Sequence, residues 1–243
     1  MFFCNFVANL KCVMANILNI ETSTVVCSVA LSSEGQVVDH YENYDGLNHA
    51  TLLSKYVKQA LDTASRKQLD IDAISVSIGP GSYTGLRIGL SQAKGLAFGL
   101  GVPLIGVNTL QLLVVSAMFK EFFDDDTIFV PMIDARRMEV YTAAYTSALE
   151  AVLEPQPMIL DCNSFSHLAD NHNLVIMGNG AQKASTIINH PRVHFMTDVT
   201  AVAVDMLALS EKAYRERSFI DVAYSTPLYL KEFQATVPKK KVL

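Results

Sequence analysis

Ile78-Gly79-Pro80-Gly81-Ser82-Tyr83-Thr84-Gly85-Leu86-Arg87-Ile88-Gly89 is the stretch on which the reading of this chain turns. Ahead of it, Ala73 to Ile78 reads as a strand. Gly79-Pro80-Gly81-Ser82 breaks that strand, and a long helical pattern runs from about Thr84 to Leu100. Gly79, Gly81, Gly85, Gly89, Gly95, Gly99, Gly101 and Gly106 are eight of the twelve glycines in the 243-residue chain. Glycine inside a helix costs roughly 1 kcal/mol relative to alanine, so the four between Thr84 and Leu100 weaken that helix by about 4 kcal/mol. Something must offset the loss.

Two offsets fit the residues. A strand, a glycine-rich turn and a helix N-terminus together make an anion site, which suggests phosphate binding. The spacing Gly79-x-Gly81-x-x-x-Gly85 is one residue too long for the dinucleotide fingerprint, however, and Leu86-Arg87 follows Gly85 where a P-loop needs Lys and then Ser or Thr. The other offset is close packing. Gly85, Gly89, Ala93 and Ala97 form a small-residue stripe on which another backbone can lie. Leu86, Leu90, Leu96, Phe98 and Leu100 leave few polar positions, so the helix belongs either in the core or in an interface. Composition serves both equally.

Outward from this stretch, Asn16 to Ile20, Val25 to Leu31 and Gln36 to Tyr41 read as three short strands in an antiparallel meander. Glu21-Thr22-Ser23-Thr24 and Ser32-Ser33-Glu34-Gly35 join them. Leu53, Tyr56, Val57, Ala60, Leu61 and Ala64 recur at helical spacing within Ala50 to Ala64, with Asn48 as N-cap. A strand at Leu104–Val107 and a helix at Leu110–Phe119 follow the glycine-rich helix. Ile128 to Ile133 and Met138 to Tyr145 open a second set of strands around Asp134-Ala135-Arg136-Arg137. Leu174–Met177 reads as a strand, Gln182–Ile188 and Val202–Arg215 as helices, and Lys239-Lys240-Lys241 as a basic tail. A meander with crossover helices, met twice without a linker, predicts an α/β chain of two lobes, residues 14–118 and a smaller 119–243. That arrangement suits an actin-like ATPase fold better than a plain doubly wound sheet.

Half the residues are apolar and 18% are charged, which marks a globular chain. Nineteen Lys and Arg against 24 Asp and Glu leave a formal charge of −5. That is a poor balance for a stand-alone nucleic-acid binder, so any link to RNA is expected to run through a partner. Cys4, Cys12, Cys27 and Cys162 show no C-x-x-C spacing and fit thiols in a reducing cytoplasm. No apolar run approaches the roughly 20 residues of a membrane span. Met1 to Val13 is apolar, but Lys11 lies on the wrong side for a signal peptide and no small-x-small site follows. It reads as an upstream extension or a mis-set start, with Met14 as the structural beginning.

The string Ile78 to Gly89 resembles the signature of the TsaB (YeaZ-like) family. Ile17 to Ser23, Pro103 to Val107, Ile133 to Arg137 with Glu139-Val140-Tyr141, and Pro227 to Lys231 agree in order and spacing. The resemblance therefore covers Met14 to Lys231. It implies a two-lobed actin-like (ASKHA) fold with a degenerate nucleotide site, no catalytic residue and no cofactor. It also implies support of a catalytic relative, TsaD, in threonylcarbamoyl transfer to the adenosine beside the anticodon of tRNA. In that family the helices at Ala50–Ala64 and Thr84–Leu100 pack against TsaD as a four-helix bundle. This puts Leu53, Val57, Ala60, Thr84, Gly85, Leu86, Ile88, Gly89, Ala93, Leu96 and Ala97 at the expected interface. The isolated chain is expected to pair with itself, the ATPase TsaE to join through the complex, and tRNA to be met indirectly. Glu21, Thr22, Ser23, Gly178 and Gly180 are the expected remnants of nucleotide contacts.

The catalytic relative carries a His-x-x-x-His metal pair after the strand matching Leu104–Val107, and here those positions are Thr109 and Leu113, neither an imidazole. His190 and His194 share the spacing but are interrupted by Pro191. No metal site is expected. Glu21 stands where the family usually has Asp, and Met138 where glycine is common. Two rival readings are a small-molecule kinase of the same fold and a glycoprotease-type peptidase. The first has only Met177-Gly178-Asn179-Gly180 as a second-lobe sign. The second lacks both H-E-x-x-H and G-x-S-x-G.

Overall fold

Ten strands form in the computed structural model, which describes residues 14–46 and 48–231. β1 (Ile17–Glu21), β2 (Cys27–Ser33) and β3 (Gln36–Asn43) form the predicted meander. α1 (His49–Arg66), β4 (Ala73–Gly79), α2 (Tyr83–Leu100) and β5 (Leu104–Asn108) then complete a sheet of order β3-β2-β1-β4-β5. β1 runs antiparallel to β2 and parallel to β4, which is parallel to β5. α3 (Thr109–Met118) leads to β6 (Ile128–Asp134), β7 (Glu139–Tyr145), β8 (Ala151–Ile159), α4 (Ser166–Ala169), β9 (Leu174–Met177), α5 (Ala181–Ala184) and β10 (Val193–Met196). The second sheet runs β8-β7-β6-β9-β10, again with two antiparallel pairings followed by two parallel ones. One topology is used twice, and this is the two-lobed actin-like architecture.

The layers follow from side-chain alternation along β1. Leu18 and Ile20 point into an outer core with Leu53, Val57 and Ala60 of α1 and Leu90, Ala93 and Ala97 of α2. Ile17 points the other way, into a core between the sheets that holds Leu110, Leu112 and Leu113 of α3 with Phe129, Ile133 and Met177. A third core places Val130 and Ile176 against Ala181 and Ala184. α3 buries eight of its ten residues because it lies between the two sheets, as a helix apolar all round must. Asn108 starts it by accepting the Leu110 N–H at 2.8 Å.

The division of the lobes differs from the single cut expected at 118/119. A 3-10 turn at Ala203–Met206 and α6 (Leu207–Arg215) return to the first sheet, packing on β1, β2, β5 and α3. Ala203 N–H donates to Ser28 Oγ at 2.9 Å. Ile220 bridges Leu104 in antiparallel fashion, and Leu228 N–H donates to the Ile78 carbonyl at 2.7 Å. The first lobe thus includes this returning strap, and the second lobe is an insertion within it.

Smaller differences have local causes. β8 and β10 escaped the sequence reading because both are edge strands, and β8 carries Pro155 and Pro157 with mostly exposed side chains. The helix expected at Gln182–Ile188 is only Ala181–Ala184, and the one expected from Val202 opens as a 3-10 turn. Asn48 makes no side-chain cap bond to α1. Met1–Val13 and Lys239–Lys241 lie outside the described residues. Among the described residues no helix is long and apolar enough to cross a membrane.

Candidate partner-binding face

What a Cβ would meet explains most of the eight glycines. At Gly81 and Gly85 it would run into the backbone carbonyls of Ser23 and Thr22, and at Gly89 into Thr22 Oγ1. Thr22 Oγ1 donates to the Gly85 carbonyl at 2.8 Å, and Ser82 N–H donates to the Ser23 carbonyl at 2.6 Å. The turn after β1 is therefore pressed into the first turns of α2. At Gly79 (φ +113) a Cβ would lie 2.9 Å from the Leu228 carbonyl, and at Gly106 it would lie 3.2 Å from Ile220. Those two make room for the strap. Gly101 closes α2 as a left-handed cap. Gly95 and Gly99 lie in helix and meet nothing within 4 Å. No neighbour among the described residues accounts for them.

The stripe expected to face a partner is turned inward. Gly85, Leu86, Gly89, Ala93 and Ala97 are buried in α2, and Leu53, Val57 and Ala60 in α1. Of the expected interface residues, Thr84 is exposed and Ile88 and Leu96 are half-buried. The outward side of α2 instead carries Thr84, Ser91, Gly95 and Gly99, with Phe98 83% exposed and Leu100 48% exposed. α1 lies alongside, where Ser54 Oγ donates to Gln92 Oε1 at 3.2 Å. Phe98, Gly95 and Gly99 were the residues that sequence reasoning failed to place on this face.

The expected nucleotide remnants are also occupied within the chain. Glu21, Thr22 and Ser23 are at most 1% exposed. Glu21 Oε1 accepts from the Ser23 N–H and hydroxyl, while its Oε2 has no partner among the described residues. Burial pushes the Glu21 carboxyl up to about 7, against the opposing hydrogen bonds from Ser23. Gly178 (φ +95) and Gly180 lie against Met132, and Gly180 also against Val140. All five residues are buried. Thr109 and Leu113 are buried at the start of α3, in the core between the sheets.

At the N-terminal end of α2 the strap makes a further cluster. The Tyr229 ring lies 5.0 Å from that of Tyr83, and its hydroxyl accepts from Arg87 Nε at 3.0 Å. The Arg87 guanidinium sits 4.1 Å over the Tyr83 ring. Lys94 Nζ holds the strap by donating to the Ala223 and Ser225 carbonyls, and Lys231 Nζ reaches Glu139 of β7 at 2.8 Å.

Comparison with known proteins meets this geometry. The model of the family described as TsaD: tRNA N6-adenosine threonylcarbamoyltransferase matches residues 41–239. The tRNA threonylcarbamoyladenosine biosynthesis protein TsaB of Escherichia coli (strain K12) is 32% identical over 231 residues, 88% of this chain and 94% of that protein. The chain belongs to the TsaB (YeaZ-like) family. The TsaB of Bacillus subtilis (strain 168) is 36% identical over 147 residues, 59% of this chain and 62% of its own. A solved structure of YeaZ from Pseudomonas aeruginosa superimposes with a TM-score of 0.72 at 27% identity, covering 89% of this chain and all of that one. The fold is therefore shared with that YeaZ structure, and the returning strap lies within the residues matched by the family model.

Proposed function

We propose that this chain is a non-catalytic subunit of the machinery that makes threonylcarbamoyladenosine in tRNA, and that it docks the catalytic relative TsaD through the outward side of α2 and the adjoining side of α1. Gly95 and Gly99 carry the reading. Each weakens α2 by roughly 1 kcal/mol with no neighbour among the described residues to require it, so we assign the close approach they permit to another molecule. Phe98 beside them, exposed as it is, supplies apolar area for that contact. The names of the TsaB relatives and of the matching family support the reaction assigned. Thr109 and Leu113, buried where the catalytic relative keeps its histidine pair, support a non-catalytic role. In isolation the same face serves a homodimer. TsaE enters through the complex, and the site of action is the cytoplasm.

Gly95→Arg tests the docking face, because the position is open and the fold does not need it. The variant is expected to keep the wild-type thermal midpoint and to lose capture of TsaD. Undiminished capture would rule the face out. Reconstituted tRNA threonylcarbamoylation by TsaD is expected to depend on adding this chain, and modification by this chain without TsaD would overturn the non-catalytic reading.

A further inference from the structure

We infer that the turn between β6 and β7 presents Arg136 and Arg137 to RNA phosphates, so that this chain contacts the polynucleotide directly. The choice of RNA rests on the proposed role in tRNA modification. The anion site itself rests on the geometry of the turn.

Both arginines hold positive φ, +71 and +49. Such a backbone costs a side-chain-bearing residue about 1–2 kcal/mol, and Gly or Asn ordinarily supplies positive φ in a connection between strands. Arginine at both is unfavourable for the turn, so the side chains serve something outside it. The surroundings fix the conformation. Asp134 Oδ1 accepts the Arg136 N–H at 2.6 Å, and Asn179 Oδ1 accepts the Asp134 N–H at 2.8 Å. Lys183 Nζ donates to the carbonyls of Arg137 and Glu139 at 2.8 and 2.9 Å.

The neighbouring carboxylates are already engaged, Asp134 by Lys183 and Glu139 by Lys231, each at 2.8 Å. Neither arginine guanidinium has a hydrogen-bond or ion-pair partner among the described residues. Two exposed, uncompensated guanidinium forks thus sit together in a chain of net charge −5. A guanidinium fork matches phosphate oxygens in bidentate fashion. Lys231 joins this turn to Tyr229, which is 39% exposed beside Arg87. An aromatic ring among cations gives an unpaired base a surface to stack on, which favours RNA over an acidic protein segment.

The test uses the full chain with a fluorescently labelled, unmodified tRNA transcript, alone and with TsaD. The double variant Arg136→Gly, Arg137→Gly relieves the backbone strain, so its thermal midpoint should hold or rise. Its affinity for the transcript should fall about tenfold, and the steepness of log K against log salt should drop by about 2. Wild-type affinity in the variant would overturn the inference. So would absence of transcript binding by the wild-type chain in both settings. A loss confined to TsaD capture would assign the arginines to an acidic protein segment, and a loss confined to ATP or inorganic phosphate would assign them to a small ligand; each sinks the RNA reading. Because TsaD capture is read separately through Gly95→Arg, failure of one proposal leaves the other standing.

Discussion

Glu21 contributes to the pH response of the fold, alongside Asp205 and Glu211, whose carboxyls burial also pushes up. An acid with a raised folded pKa binds more protons folded than unfolded between its two values. Stability is then fully present below the unfolded value of 4.5 and is lost as pH rises toward about 7. The loss is on the order of 3 kcal/mol at most. Thermal midpoints measured from about pH 5 to about pH 8 are expected to fall in the wild-type chain and to fall less in Glu21→Gln, which keeps the shape and removes the titration. Parallel pH profiles would show that the slope arises elsewhere. At this scale the sequence marked Glu21 as this chain's departure from the Asp usual in the family. Its burial was not legible, because the glycines that press on the adjoining Thr22 and Ser23, namely Gly81, Gly85 and Gly89, follow far later along the chain, Gly85 lying 63 after Thr22.

Of the glycines of α2, Gly85 and Gly89 press against Thr22 while Gly95 and Gly99 meet nothing among the described residues, and substitutions separate the two pairs. Gly89→Ala forces a methyl group into Thr22 and is expected to destabilise by about 1–3 kcal/mol, measured by denaturant titration. Gly95→Ala meets open space and is expected to stabilise by about 0.5–1 kcal/mol in the same measurement. If both moved stability the same way, the division would be wrong. The helix itself and its small-residue stripe were legible from spacing. Its facing was not, because periodicity gives the angle between residues and leaves open which side meets the sheet. Ser23 and Thr22 decide that, and they lie on a turn far off in sequence. The arginine turn was legible as a turn, but the positive φ of Arg136 and Arg137 was hidden, since neither residue is an ordinary signal for it.

Across the whole molecule, α3 and the core between the sheets make the lobes interdependent. Leu112, fully buried there, is expected to cost about 2–5 kcal/mol when cut to alanine. Calorimetry should show that loss in one shared unfolding transition, since both sheets contribute to the same core. Two resolved transitions, only one of them shifted, would contradict it. The repeated strand order was legible in outline because each lobe repeats the same meander and crossovers. The return of residues 203–231 to the first sheet was not, since Ile220 and Leu228 meet that sheet through backbone bonds that leave no periodic trace.

That return sets a timetable for synthesis. Tyr229, which packs on Tyr83 and bonds Arg87, is translated 142 residues after Arg87. Gly79, against which Leu228 packs, and the β5 residue Leu104, which Ile220 bridges, therefore stay uncovered by the strap while the whole inserted lobe emerges from the ribosome. If α2 docks a partner as proposed, that assembly waits until the strap, which follows the whole inserted lobe, has been made.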